Sequence, residues 1–271
     1  MPKCLILSLH DVLTWEYLQA LMPGLTSRTS LRPKVRRIVR ALEKALGVPE
    51  QSAVLPPPLD MLVATILSQN TNDKNSHRAY VSLRERYRTW ELTATAPLRN
   101  LKSAIRVGGM ANQKGVRIRK ILKQINNRYG KFDLSALKAK SSDEIIAELT
   151  ALDGVGPKTA ACVLLFSLGR DVFPVDTHVH RICTRLGLVP DSGSPEKTFE
   201  AMRPLVPQRK GYSFHTNLIR FGRRICRSNK PVCSMCPVYS DCIYPGKWKT
   251  KVGRRESSAD HDFMLLDNVR A

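Results

Sequence analysis

Residues 152–176 read LDGVGPKTAACVLLFSLGRDVFPVD. Gly154 and Gly156 flank a valine, Pro157 and Lys158 follow, and Asp176 closes the stretch eighteen residues past the lysine. Upstream, Ser141 and Glu144 have capping-box spacing, and Ile145, Ile146, Leu149 and Leu152 fall on one face of a helix. Downstream, Pro157 suits the first turn of a second helix that is apolar through Ala160, Val163, Leu164 and Leu165. The pattern predicts a helix, a hairpin and another helix over about residues 142–168. Both glycines permit positive backbone angles and close approach, so unpaired amides at the start of the second helix can face a phosphate. A plain helix pair with a glycine cap shares this pattern. The lysine, the aspartate and a group of cysteines further on point beyond it.

The whole chain is strongly basic. Its 271 residues carry 44 Lys and Arg against 23 Asp and Glu, a formal charge of +21 with a pI near 10.1. A polyanionic partner fits this balance better than a small metabolite. Nucleic acid is favoured over a membrane, because no apolar run approaches the roughly 20 residues of a spanning helix. The first ten residues are fairly apolar, but Asp11 and Glu16 follow at once without a small-residue cleavage site, which argues against a signal peptide. Of seven cysteines, four crowd between Cys226 and Cys242. Metal ligation in a reducing compartment fits that crowding better than a disulfide framework.

Residues 1–30 show no sustained period and read as a loosely attached, flexible extension. From Pro33, Val35, Ile38, Val39, Leu42 and Leu46 form one face of an amphipathic helix that Gly47 ends. Pro56 to Pro58 precede an apolar run, Leu59 to Leu67, expected to be a core helix, and a boundary falls near residue 53. That helix leads into Ser68-Gln69-Asn70-Thr71-Asn72-Asp73-Lys74-Asn75, which reads as a solvated loop or as donors and acceptors that replace lost base-pair partners. Gly108-Gly109-Met110-Ala111-Asn112 interrupts the helical pattern. Ile118, Ile121, Leu122 and Ile125 then recur at helical spacing, flanked by Lys114, Arg117, Lys120 and Lys123 as a solvated or phosphate-tracking face. A helix start at Ser194-Pro195 and a helix near Phe214 to Ile225 follow, and residues 246–271 read as a basic, disordered tail. Alternating strand-like runs are scarce. The expected fold class is all-α.

Three groups of residues carry chemistry. Cys226, Cys233, Cys236 and Cys242 place four thiolates within seventeen residues, enough to wrap one metal centre, either tetrahedral zinc or an iron–sulfur cluster. Arg227 and Lys230 sit in the first cysteine loop, as phosphate contacts or as ordinary exposed turn residues. Lys158 starts an apolar helix, where the dipole and burial both disfavour its charge, so its pKa is expected to fall. A neutral amine there can attack a deoxyribose anomeric carbon, whereas a charged one would only bind phosphate. Asp176 precedes Thr177-His178-Val179-His180 as a helix N-cap, as an electrostatic partner of a cationic transition state, or as both. His178 and His180 point to different helix faces, which argues against a histidine metal site.

LDGVGPKTA, then VDTHV, then C-x6-C-x2-C-x5-C, in that order, resemble the helix-hairpin-helix DNA glycosylase superfamily, most closely its endonuclease III branch, over about residues 31–245. The resemblance implies a six-helix barrel domain over residues 53–170 and a cluster domain built from 31–52 plus 171–245. A DNA cleft would lie between them, entered by a flipped nucleotide. It implies that Lys158 is the Schiff-base lysine, Asp176 the family's aspartate, and the four cysteines ligands of a [4Fe-4S] cluster. Asn70 aligns with a gap-filling glutamine and Met110 with a leucine wedge, while Ala111 stands where a tyrosine is common and Val232 where a basic residue is frequent. Gly154, Gly156, His178, Arg227 and Lys230 join them as expected DNA contacts. The implied activity is base-excision repair of oxidised pyrimidines by a monomeric glycosylase and AP lyase on double-stranded DNA. Its compartment would be the nucleoid in a prokaryote, or the nucleus or mitochondrion in a eukaryote. A uracil or mismatched-thymine glycosylase of the same fold and a non-catalytic DNA-binding module are the alternatives.

Overall fold

A computed structural model describes residues 23–249 apart from Ser192. Among these residues the secondary structure is helical throughout, with no strand. The eleven α-helices are α1 (Pro23–Leu46), α2 (Pro58–Leu67), α3 (Asp73–Arg86), α4 (Trp90–Thr95), α5 (Leu98–Ala104), α6 (Ala111–Tyr129), α7 (Ser142–Thr150), α8 (Pro157–Ser167), α9 (Thr177–Arg185), α10 (Pro195–Met202) and α11 (Gly211–Arg224). The expectations for residues 1–22 and 250–271 lie outside the described residues. No described helix is long and apolar enough to cross a membrane.

Two corrections concern the ends. The first helix begins at Pro23, ten residues before the expected start, with Pro33 inside it. Proline removes one intrahelical donor without ending this helix. At the other end, Pro245–Lys249 forms a 3-10 turn where the tail was expected to lose structure.

The apolar pattern builds two clusters. The first gathers α2 to α8, and α2 is buried on nearly every face because its sequence has no polar side to expose. The second gathers α1 with α9, α10 and α11, so the two ends of the described chain pack together. Each fully buried Leu or Ile contributes about 1.5–3 kcal/mol of burial. Polar ties fix the second body. Glu43 on α1 accepts from Lys210 and from Ser213, and Arg37 pairs with Asp241 in the cysteine loop. Helix α8 is shared, since its Ala161 packs into the second cluster while its other apolar residues line the first. Lys158 therefore rides on a helix that faces both bodies.

Candidate active site

The hairpin forms as its sequence demands. Ser141 accepts from the Glu144 amide and Glu144 returns a bond to the Ser141 amide, so α7 starts with a full capping box. Gly154 takes φ +76°, and a Cβ there would lie 2.1 Å from the Arg117 Nε. Gly156 was expected to share that freedom but sits at φ −93° as the N-cap of α8, with open space where its Cβ would be. Its lack of a side chain is thus not needed by the free protein. The Gly154 and Gly156 amides find no acceptor among the described residues, which leaves both available to an anion at the start of α8.

Lys158 and Asp176 come together. Asp176 caps α9, its Oδ1 accepting from the Val179 amide at 2.8 Å. Its charge is also felt by Lys158, although no ion pair within 4 Å joins them. Asp73, at the start of α3, is the second carboxylate in reach. It pairs with Arg223 of α11 and so bridges the two clusters beside the lysine.

The expected fall of the Lys158 pKa is overturned. Burial does lower it, but Cys162 one turn along α8, Asp176 and Asp73 together hold it above its ordinary value. The helix-level argument saw burial and the dipole but not the carboxylates delivered by α3 and α9. Burial pushes the Cys162 thiol up, while the charge of Lys158 beside it pulls it down. The net direction favours the ammonium form of Lys158.

Two histidines lie in the same field. His178 is half-buried and held below its ordinary pKa by burial, with Arg181 and Arg223 acting the same way against Asp176 and Asp73. His215 is buried between Phe166 and Phe173, and burial pushes its pKa down to about 4. A neutral ring must donate from Nδ1 to the Pro174 carbonyl, at 2.8 Å, which anchors the segment that delivers Asp176. Sequence reasoning missed His215, Asp73, Arg223 and Cys162. Asp73 and Arg223 are 150 residues apart, and no local pattern joins them. His180, by contrast, points to Thr198, away from His178 as its spacing predicted.

Asn70 and Met110 meet at an exposed edge. Both are non-glycine residues in the left-handed region, at φ 51° and 49°, and the Asn70 amide nitrogen lies 3.5 Å from the Met110 sulfur. The charged face expected on α6 is partly spent inside the protein. Lys120 pairs with Asp153 of the hairpin, Arg117 donates to Gln69 at 2.7 Å, and Lys114 is buried rather than solvated. The acceptors that meet this face are Gln69, Asp153 and the Leu67 and Gly108 carbonyls, which sequence spacing does not bring together.

The four cysteines line one recess between α9, α11 and the Cys233–Met235 turn. Among the described residues no three His, Cys, Asp or Glu side chains gather into a site for a metal ion. Thiols spread around a shared recess suit a cluster of several irons better than one tetrahedral zinc. The rest of the donor set agrees with that. Arg185 donates to the Cys226 sulfur at 3.4 Å and to the Arg227 and Ser228 carbonyls, and the Tyr244 amide donates to the Cys242 sulfur at 3.4 Å. Donors of this kind stabilise anionic sulfur. Arg185 is a further residue that spacing missed. Arg227 and Lys230 are exposed on the same loop, Lys230 at φ 51°.

Comparisons with known proteins follow the same lines. The model of the HhH-GPD superfamily base excision DNA repair protein family matches residues 63–208. An endonuclease III of Thermotoga maritima is 37% identical over 199 residues, 73% of this chain and 89% of that protein. A putative DNA glycosylase of Arabidopsis thaliana is 38% identical over 178 residues, 66% of this chain, and the match spans 58% of the plant protein's length. The solved structure of a trapped endonuclease III–DNA covalent intermediate superposes with a TM-score of 0.69 at 28% identity, covering 80% of this chain and 98% of that one.

Proposed function

The chain belongs to the HhH-GPD superfamily of base excision DNA repair proteins, and on that premise we propose that it is a bifunctional DNA glycosylase and AP lyase in which Lys158 is the nucleophile. The observation that carries this reading is that Lys158, on a helix that both bodies of the fold contact, shares one field with Asp176 and Asp73, delivered by α9 and α3. A phosphate held by the Gly154 and Gly156 amides would set an extruded sugar against the lysine.

The proton balance follows from the charge on Lys158. Its ammonium must lose one proton before the nitrogen has a lone pair, and the departing base must gain one. Asp176 can relay that proton from nitrogen to base, while its negative charge stabilises the cationic sugar as the glycosidic bond lengthens. The Lys158 nitrogen bonds to C1′, the base leaves with the relayed proton, and ring opening gives a Schiff base. Loss of a C2′ proton then expels the 3′ phosphate, and water releases the lysine.

Asn70 and Met110 would enter the duplex where the target nucleotide leaves it, with His178, Arg227 and Lys230 against the backbone. Cys226, Cys233, Cys236 and Cys242 would hold a [4Fe-4S] cluster. Bound there, it would supply a structural centre for the loop that carries Arg227 and Lys230, and no chemistry on the sugar. The substrate class is an oxidised pyrimidine in double-stranded DNA.

Borohydride reduction on duplex carrying an oxidised pyrimidine tests the assignment. The wild type should become covalently attached to DNA and the Lys158→Gln protein should not, while both bind. Equal trapping by Lys158→Gln would remove Lys158 as the nucleophile. Base release without strand cleavage or trapping would leave a simple hydrolase.

A further inference from the structure

Lys114 is among the largest fully buried side chains of the protein, 1% exposed. Its ammonium nitrogen donates to the Leu67 carbonyl and to the Gly108 carbonyl, each at 2.7 Å. Leu67 is the last residue of α2, three residues before Asn70, and Gly108 ends the turn two residues before Met110. Gly108 is itself wedged against Ala79, whose Cβ would be 2.9 Å from any Cβ placed there. The two left-handed residues whose side chains touch at the surface thus stand on loops tied from beneath by one buried cation. Burial and the nearby Arg117 bring its pKa down to about 8. Protonated or neutral, the amine can still donate to both carbonyls.

A buried lysine is costly unless its donors are matched. A methionine would fill this volume without a charge, so packing alone does not explain the lysine. What the lysine adds is a fixed distance between two loops that no backbone hydrogen bond joins. Left-handed conformations at non-glycine residues persist only when their surroundings impose them. Both occur here, each within three residues of a carbonyl that Lys114 holds.

We propose that Lys114 is a positioning residue that locks the Asn70 and Met110 turns into one DNA-inserting edge, so that opening the base stack depends on it and the Schiff-base step itself does not. This rests on the glycosylase reading above. The test uses the full chain with Lys114→Met and two substrates. One is a duplex with an oxidised pyrimidine next to 2-aminopurine, whose fluorescence reports unstacking. The other is a single-stranded oligonucleotide with a preformed abasic site, where no stack must be opened.

The expected result is at least a ten-fold loss of base release and of the 2-aminopurine signal, with borohydride trapping on the single strand within about three-fold of wild type. Parallel loss on both substrates, or no loss on either, overturns the proposal. Should Lys114→Met melt well below wild type, the Asn70→Ala, Met110→Ala and double variants read the same coupling from exposed positions. Losses that fail to multiply support one locked edge, and losses that multiply overturn it. A wild type that neither releases base nor traps would instead refute the glycosylase reading, whatever Lys114 does.

Discussion

Asp176 holds two positions at once, and three substitutions separate them. Its carboxylate caps α9 through the Val179 amide and lends charge to Lys158. Asn at this site keeps an acceptor for the cap, as Asn and Asp are about equal N-caps, and loses only the charge at the helix start, about 0.3–1 kcal/mol. Ser keeps the cap by its hydroxyl. Ala loses the cap as well, about 1 kcal/mol more, or roughly 2–4 °C of melting temperature for a domain of this size. Catalysis divides differently. All three lose the proton relay and the charge facing the sugar, worth about 10²–10⁴ in rate, or roughly 2.7–5.4 kcal/mol of barrier. The assay is single-turnover base release and cleavage of a duplex carrying an oxidised pyrimidine, run beside thermal unfolding. Asn and Ser should melt near wild type and cleave at 10⁻² or less of its rate, while Ala should cleave equally slowly and melt earlier. The Asn variant carries a second sign. Removing a charge that raises the Lys158 pKa should move the descending limb of the pH–rate profile to lower pH while its ceiling falls. An Asn protein within about five-fold of wild-type rate would show Asp176 to be a cap and nothing more.

Further outcomes follow from the same geometry. Because the Lys158 ammonium supplies the proton that the departing base takes, and its pKa lies above its ordinary value, wild-type base release should hold from neutral into alkaline pH and fall as pH climbs through that pKa. Stability takes the same course: the contribution of the charged lysine is complete below its unfolded pKa and fades as pH climbs through the higher folded one, so pH melts should show a loss only on the alkaline side. Gly156→Ala meets nothing within 4 Å and needs no positive φ. It should melt close to wild type yet bind duplex at least several-fold more weakly, whereas Gly154→Ala, at φ +76° against Arg117, should lose about 1 kcal/mol or more of stability. Equal DNA affinity in Gly156→Ala would deny the hairpin its phosphate. Protein purified without oxygen should carry about four irons and four labile sulfides per chain. Cys236→Ser should lose them and the brown colour, and a zinc-loaded, colourless wild type would refute the cluster.

What the sequence made legible was local. The capping box at Ser141 and Glu144, the Pro157 helix start and the all-round apolar α2 are decided within a few turns of chain, and each stands in the structure as read. What it concealed depends on partners far away in sequence. Lys114 has the spacing of a solvated residue on α6, and only the carbonyls of Leu67 and Gly108 make its burial tolerable. Arg185 reads as an ordinary basic residue in a last helical turn, yet it closes the cysteine loop by binding sulfur and two carbonyls. Pro33 looked like a helix start because proline favours that position, and the turns before it escaped notice for want of an apolar period.

The reversed sign on Lys158 bears most on mechanism. A lysine with a lowered pKa would wait as a free amine, ready to attack but unable to protonate anything. On the proposed mechanism a pyrimidine leaving as an anion needs a proton, and a neighbouring acid must supply it. On that mechanism an ammonium held by Asp176 and Asp73 would store the proton for the departing base, and its release would create the nucleophile in the same event. The two histidines do not compete for this role, because burial holds His215 neutral with its Nδ1 proton committed to Pro174, and partial burial works against charge on His178. Removing Asp176 then costs more than a positioning contact, since it breaks the path between the only proton the lysine can spare and the base that requires it.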